Sequence, residues 1–390
     1  MARLGDICEK VTDYVASGSF AALKENVLIT NEENYAIMVK TADFSNGFTK
    51  ALTYTDKRGY DFLKNSNLFG GELILSNIGS IGKVFKVPYL DRPMTLASNT
   101  VMIKTATPEL TDYLYYYFLS PAGYKSLLSI SSGTSMLKFN KTELKKLEIP
   151  IPDIDKQRRI IAVMDKVSNL ISLRKQQLAR LDELVKARFV ELFGDTILNP
   201  FGWKKDLLGT VCDVRDGTHD SPQYYESGYP LVTSKNVTGG KIDLTDCSLI
   251  CEADFKKINE RSKVDIGDII MPMIGTVGKP VIVDIEPNFA IKNVSLIKFK
   301  ADSRVLNTYI RALLQSDYFD DAVLSKVRGG TQKFISLGDI RKLEVLVPPM
   351  ELQEQFATFI KQTDKSKLAI QQSLDKLETL KRSLMQKYFE

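Results

Sequence analysis

Two short loops carry a lysine at the end of a glycine turn: residues 79–83 read GSIGK and residues 275–279 read GTVGK. Glycine lets a chain turn tightly and present its N–H groups. Each loop therefore offers amides, a hydroxyl (Ser80, Thr276) and an ammonium (Lys83, Lys279) to an anion such as a phosphate. A plain β-turn with a solvated lysine accounts for the same letters, and both readings stay open. Neither loop is a nucleotide-binding P-loop, because GxxGK lacks the GxxxxGK[ST] spacing, so no ATP site is expected. Amide, hydroxyl, basic and aromatic groups also gather in VASGSFAALKEN and TYTDKRGYDF of the first half, and in DGTHDSPQYYESGYP and TSKNVTGGK of the second. They gather again around Gly-Thr dipeptides at 133–134 and 330–331.

Enzymatic chemistry finds less support. His219 is the one histidine among 390 residues, so Ser/His or Cys/His activation and histidine-rich metal sites lack their usual group. Cys8, Cys212, Cys247 and Cys251 are too few for a disulfide framework in a chain of this length, which fits a reducing compartment. Cys247 and Cys251 fall short of the four ligands of a structural zinc site, and all four cysteines read as small buried hydrophobes. Asn199, Pro200 and Phe201 nearly spell the NPPF tetrapeptide that positions an exocyclic amine for methyl transfer. One proline is missing and no glycine-rich S-adenosylmethionine loop follows an upstream strand, so the phrase reads as a turn entering a domain. Glu109, Glu143 and Lys145 resemble a nuclease pattern of two acids and a lysine around Mg²⁺. The corresponding triplet further along is Asp339, Ile340, Arg341, which argues against it. No catalytic residue, metal or cofactor is expected.

The composition fits that picture. With 44% hydrophobic and 26% charged residues and a mean hydropathy of −0.12, the chain reads as an ordinary globular protein, long enough for two or three domains. No apolar run approaches the roughly 18 to 20 residues that span a bilayer, and the opening MARLGDICEK has no secretory apolar core. No membrane association and a cytoplasmic location are expected. Fifty-three basic against 48 acidic residues give a net charge of +5, a mild bias that matters only where lysines and arginines sit on loops able to reach phosphates.

What positions these loops is a duplication. LGDICEKV from Leu4 recurs as LGTVCDVR from Leu208, and SNIGSIGKVFKV from Ser76 recurs as PMIGTVGKPVIV from Pro272. Lys83 and Lys279 stand 196 positions apart, as do Tyr113 and Tyr309, Lys146 and Lys342, Pro152 and Pro348, Gln157 and Gln353, and Leu181 and Leu377. Each copy opens with β-branched runs bounded by turn residues (ELILSNIG, GKVFKV, TVMIK; GDIIMPMIG, KPVIVDI, VSLIKFK), followed by a helix that in the first copy takes Thr107 as N-cap and Pro108 as first residue. The expectation is two similar α+β domains over residues 1–152 and 199–349, each followed by a helical region, 153–198 and 350–390.

Those helical regions are rich in Leu, Lys, Gln and Glu and free of interior glycine and proline. Ile160, Met164, Val167, Ile171, Leu178, Leu181, Val185 and Leu192 follow a 3,4 spacing; Phe356, Ile360, Ile370, Leu374, Leu377, Leu384 and Tyr388 form the matching seam. A helix of roughly 33 residues, about 50 Å long, cannot bury one apolar stripe alone. An antiparallel coiled coil of the two is expected, favoured by the short link FGDTILNPFGW; docking of each stripe on its own domain is the alternative. A pseudo-two-fold internal repeat would then hold two heads a little more than one DNA turn apart, about 34 Å.

The duplicated IGK loops, Gly-Thr dipeptides, LEIPIP and LEVLVPP strand ends, the glutamine opening each helix and the NPFGW phrase together resemble the specificity (S) subunit of Type I restriction and modification systems, over essentially the whole chain. The resemblance implies two target recognition domains, each reading one half of a bipartite double-stranded DNA sequence. It implies spacer helices that dock methyltransferase (M) subunits, two of them, with restriction (R) subunits joining for cleavage, and no catalysis by this chain. On that footing the DNA-contacting candidates are Lys24, Asn26, Lys57, Arg58, Ser80, Lys83 and Lys138 in the first half. In the second they are His219, Gln223, Lys235, Asn236, Thr276, Lys279, Arg328, Gln332 and Lys333. In the reading loops asparagine and glutamine pair with adenine and lysine with guanine, with ordinary polar loop surface as the competing reading. The lysines of the glycine turns, and Lys138, Arg328, Gln332 and Lys333 around the Gly-Thr turns, clamp phosphate, with a turn that caps the following helix as the alternative for the latter four. Leu170, Leu173, Leu184, Phe189 and Leu380 are expected on outer helix faces, facing partner subunits. A standalone two-headed DNA-binding regulator is the alternative function.

Overall fold

A computed structural model describes residues 1–134, 136–274, 277–322 and 334–390. The chain divides into two compact units, Met1–Lys175 with Gln372–Glu390, and Gln176–Gln371, so each unit takes a part of both long helices.

In the first unit an antiparallel sheet runs in the order Cys8–Asp13, Thr100–Thr105, Leu73–Ser76, Val84–Lys86. A second sheet runs Tyr54–Thr55, Ala36–Val39, Met94–Leu96, Asn67–Leu68, with its central pair parallel. Ala36–Val39 and Leu73–Ser76 are buried at every position, which is why AIMV and the LIL before Ser76 read as apolar runs rather than alternating ones. The helix Pro108–Leu119 begins as expected, the Thr107 hydroxyl accepting from the Leu110 N–H at 3.3 Å. The second unit repeats the plan: Asp213–Asp216, Val294–Lys298, Ile269–Pro272, Val281–Ile282 in one sheet, and Ser248–Ile250, Tyr229–Val232, Ala290–Ile291 in the other, again with one parallel pair. Beside each pair of sheets lies a short ladder, Ala2–Arg3 with Glu148–Ile149 and Lys204–Leu207 with Glu344–Val347.

The long helices span Ile154–Phe193 and Met350–Phe389, 40 residues each and thus about 60 Å. They exceed the expected length because each starts ahead of its first heptad letter and runs on to a terminal phenylalanine. In the first unit Ile160, Ile161 and Met164 of one helix share a core with Met385 and Phe389 of the other. In the second unit Phe189 and Phe193 share a core with Phe356 and Ile360. Start meets end in both, so the helices run antiparallel, and Lys175–Glu378 (2.9 Å) and Lys367–Asp182 (2.5 Å) pair across them within the first and second unit respectively.

The seam faces inward throughout. Ile160, Met164, Val167, Phe356, Ile360 and Leu374 are buried, and Ile171, Leu178, Leu181, Val185, Leu192, Ile370, Leu377, Leu384 and Tyr388 are half-buried. Helix pairing and docking on a domain, posed as alternatives, coexist: the seam ends enter the globular cores, with residues of both helices side by side. Leu173, Leu184 and Leu380 are exposed and Leu170 half-buried, whereas Phe189 corrects the expectation of an outward residue. It lies four residues before Phe193, on the same face, and stacks on Tyr309 at 5.7 Å.

Tyr113 and Tyr309 anchor this junction. Tyr113 donates to the Pro150 carbonyl at 2.7 Å with its ring 5.4 Å from Phe389; Tyr309 donates to the Leu346 carbonyl at 2.9 Å with its ring 4.7 Å from Phe193. Gln157 and Gln353 donate to the carbonyls of Pro152 and Pro348, both at 2.8 Å, fixing the start of each helix. After Phe193 the NPFGW phrase is a helix stop: Gly194 has φ +76°, Asn199 exchanges two hydrogen bonds with the Trp203 backbone at 2.9 Å, and the Trp203 indole donates to the Phe193 carbonyl at 3.0 Å. Replacing Phe193 or Phe389 by alanine is expected to cost its own unit about 3 to 5 kcal/mol in equilibrium denaturation, the range for a deeply buried phenylalanine. A loss below about 1 kcal/mol would contradict the closing role of the ring.

Candidate nucleic-acid interface

Strand register decides which loops come together. In the first unit Ser76 pairs with Thr100 and Asp13 with Val101, so the segments leaving Asp13 and Ser76 and the one entering Thr100 emerge at one end of the sheet. The 77–83 loop needs glycine at two places, Gly79 (φ +74°) and Gly82 (φ +88°), and a Cβ on Gly82 would strike the Tyr124 ring. This loop is bound to the segment after the Gly-Thr dipeptide: the Gly79 N–H donates to the Leu137 carbonyl (3.0 Å), and Asn77 exchanges backbone and side-chain bonds with Phe139 (3.1 Å). Ser132 and Lys138 close that segment with a reciprocal backbone pair at 2.9 Å. Ser80, Lys83 and Lys138 are thereby gathered, exposed, on one edge.

The helix Phe20–Asn26, capped by Ser19, carries Lys24 and Asn26; the helix Lys57–Phe62, capped by Asp56, carries Lys57 and Arg58. They meet where Arg58 donates to the Asn26 side-chain oxygen at 2.8 Å. Lys57 is paired with Asp61 at 2.9 Å and sits 5.4 Å from the Tyr35 ring centre, while Lys24 is exposed. Asn26 also donates to the Ala22 carbonyl, so only part of its hydrogen-bonding capacity is left for a ligand.

The second unit matches this at the same sheet end, where Asp216 pairs with Ser295 and Pro272 with Val294. Ile274 bridges Phe334, and the Ile335 N–H donates to the Met273 carbonyl at 2.9 Å. Gln223, Lys235 and Lys279 are exposed. His219 places its two ring nitrogens 2.9 Å from Asn293 Oδ1 and Asp216 Oδ2, and these contacts, Asn293 first, raise its pKa above the ordinary value. Asn236 corrects an expectation. It is buried, its side-chain oxygen accepting from the Thr233 N–H (3.0 Å) and hydroxyl (2.9 Å), so that oxygen builds a turn in place of facing a base. Thr276, Arg328, Gln332 and Lys333 lie outside the described residues.

Other groups fall where packing puts them. Cys212 is buried, but Cys8, Cys247 and Cys251 are only half-buried; burial pushes the Cys8 and Cys212 thiols up to about 12. Glu109 pairs with Arg158 at 3.1 Å and Glu143 with Lys146 at 2.8 Å, each acid serving its own surface pair. No helix among the described residues is long and apolar enough to cross a membrane. Reading the sequence missed the acids at the strand ends, Asp13 and Asp216, although both end a V-x-D phrase in the aligned copies. It missed Lys141, Arg261 and Lys292 as well, whose partners lie far along the chain.

A family model described as "Type I restriction modification DNA specificity domain" matches the chain twice, over residues 1–183 and 200–382. The MjaVIII specificity subunit of Methanocaldococcus jannaschii is 23% identical over 383 residues, 93% of this chain and 87% of that protein. The MjaIX specificity subunit of the same organism is 26% identical over 74% and 70%, and the EcoKI specificity subunit of Escherichia coli is 20% identical over 94% and 84%. Among solved structures, the Type I S subunit from M. genitalium has a similar fold, with a TM-score of 0.56, 15% identity and coverage of 100% and 95%.

Lys83→Ala and Lys279→Ala are expected to weaken duplex binding evenly across sequences, each lowering the salt slope by about one. Altered sequence preference with an unchanged slope in a salt titration would assign base contacts instead.

Proposed function

Because this chain belongs to the Type I restriction modification DNA specificity family, we propose that it is the DNA-recognition subunit of such a complex, with each unit reading one half of a bipartite double-stranded target. The observation that supports this most directly is the repetition of one sheet end, twice fitted with glycine-turn lysines and twice fitted with different neighbouring loops. Equal scaffolds with unequal loops suit two half-sites of unequal sequence, phosphate contacts fixing register and loop side chains selecting bases.

In this reading the chain catalyses nothing and binds no cofactor. Two methyltransferase subunits dock on the long helices, where Leu173, Leu184 and Leu380 leave apolar surface exposed, and restriction subunits join that assembly. The site of action is the cytoplasm, where the DNA is. The number of base pairs between the half-sites follows the length of the helix pair.

Three measurements test this. Purified chain incubated with S-adenosylmethionine and duplex is expected to transfer no methyl group until methyltransferase subunits are added; transfer by the chain alone would make it an enzyme. Exchanging residues 1–152 for those of another family member is expected to change one half-site only, and a change in both would refute modular reading. Inserting one heptad into both long helices is expected to lengthen the tolerated spacer with both half-sites kept.

A further inference from the structure

We propose that Asp216 is a positioning residue for the 217–223 loop, holding His219 as an imidazolium against Arg261, so that binding through the second unit is proton-linked while binding through the first is not. The proposal rests on the DNA-recognition reading above and adds to it which residue sets one reading loop and how that setting responds to pH.

Asp216 and Asp13 occupy equivalent places, each the last residue of the strand that flanks the central strand of its sheet. They take different partners. Asp13 accepts from the Lys141 ammonium at 2.8 Å, tying the strand end to the helix Lys141–Lys146. Asp216, itself buried, accepts from His219 Nε2 at 2.9 Å through one oxygen and from the Arg261 guanidinium through the other. Arg261 comes from the helix Glu252–Ser262, and its own carbonyl accepts from Arg215 at 3.0 Å. His219 Nδ1 faces Asn293 Oδ1, also at 2.9 Å. With the Asn293 oxygen turned to the ring, a neutral imidazole donates to one of the two oxygens and the cation donates to both.

The surroundings define what else bears on the ring. Lys292, next to Asn293, donates to the Ser221 hydroxyl at 2.6 Å and so holds the same loop at a second point. Asp220 adjoins the ring in sequence, and Asp254 and Lys257 of the Glu252–Ser262 helix line a cavity of about 250 Å³ with Thr218 and Ser221. The Asn293 and Asp216 contacts raise the His219 pKa against the opposing charge of Arg261. A raised folded pKa means the clamp is complete below the ordinary histidine value, near 6.5, and is lost as pH rises through the raised one. In the first unit the corresponding clamp is the Lys141 ammonium on the Asp13 carboxylate, with no histidine in it.

Because His219 is the only histidine, its ring is read without assignment ambiguity. The 390-residue chain, with His219→Gln and Asp216→Asn variants, is titrated from pH 6 to 8.5 in two ways: imidazole NMR without DNA, and affinity for duplexes that carry the target, first mapped from the sites methylated by the assembled complex, with either half scrambled. Expected are a several-fold fall in affinity with rising pH where only the second half-site is intact, no such fall in either variant, and a ring pKa in Asp216→Asn brought down towards the ordinary value. Equal pH dependence in His219→Gln, equal dependence through both half-sites, or an unmoved ring pKa would overturn the proposal. Absence of binding to every duplex at every pH would instead sink the recognition reading, while the ring titration still decides the clamp.

Discussion

An aromatic ring at the end of a long helix, set against a tyrosine inside a sheet-and-helix core, is the contact on which the rest depends. It is made twice, Phe389 with Tyr113 and Phe193 with Tyr309. Without it neither core is closed, because the start of the other helix alone, Ile160 and Met164 or Phe356 and Ile360, covers only part of the same apolar face. Each globular part thereby depends on a segment arriving from elsewhere in the chain, and each helix must be antiparallel to its partner for the start of one and the end of the other to reach the same tyrosine. The hydroxyls hold the tyrosine rings in place, Tyr113 donating to the Pro150 carbonyl and Tyr309 to the Leu346 carbonyl.

With the cores closed in the same way, the sheets are free to carry different loops. The pairs Ser76 with Thr100 and Pro272 with Val294 fix equivalent ends of equivalent sheets, and the loops that leave them have diverged. An acid at the same strand position serves two designs: Asp13 draws in a lysine from the distant helix Lys141–Lys146, and Asp216 draws in a histidine from its own loop and an arginine from the helix Glu252–Ser262. The fold supplies a fixed negative anchor, and the loops differ in what they bring to it. A buried carboxylate without a cation would be costly, so whatever sequence the loops adopt has to provide one.

Legibility in the sequence followed the range of the interactions. The repeat, the strands, the cap at Thr107, the helix seams and the NPFGW turn are local or periodic, and each is written in neighbouring letters. Phe189 was misplaced because a heptad count that ends at Leu192 ignores the globular core waiting at the helix end, where Tyr309 draws that face inward. Asn236 carried the right side chain for adenine, yet its oxygen is consumed by Thr233 three residues earlier, a local capping motif that polar composition alone conceals. Arg261 and Lys292 were invisible for the opposite reason, their partners Asp216 and Ser221 being 45 and 71 positions away.

The same distinction of range divides the helices themselves. Their ends hold fully buried residues with specific partners, whereas between the ends, apart from Val167, Thr363 and Leu374, the seam is half-buried and the cross-helix contacts are surface ion pairs such as Lys175–Glu378. Such pairs contribute about 0 to 1 kcal/mol each, and burial together with Lys175 even depresses the pKa of the neighbouring Lys381. The central stretch, held by generic heptad contacts, fixes helix length less tightly than the ends do, because Phe193 and Phe389 must each reach one tyrosine. Length is therefore the property of this helix pair least fixed by specific contacts.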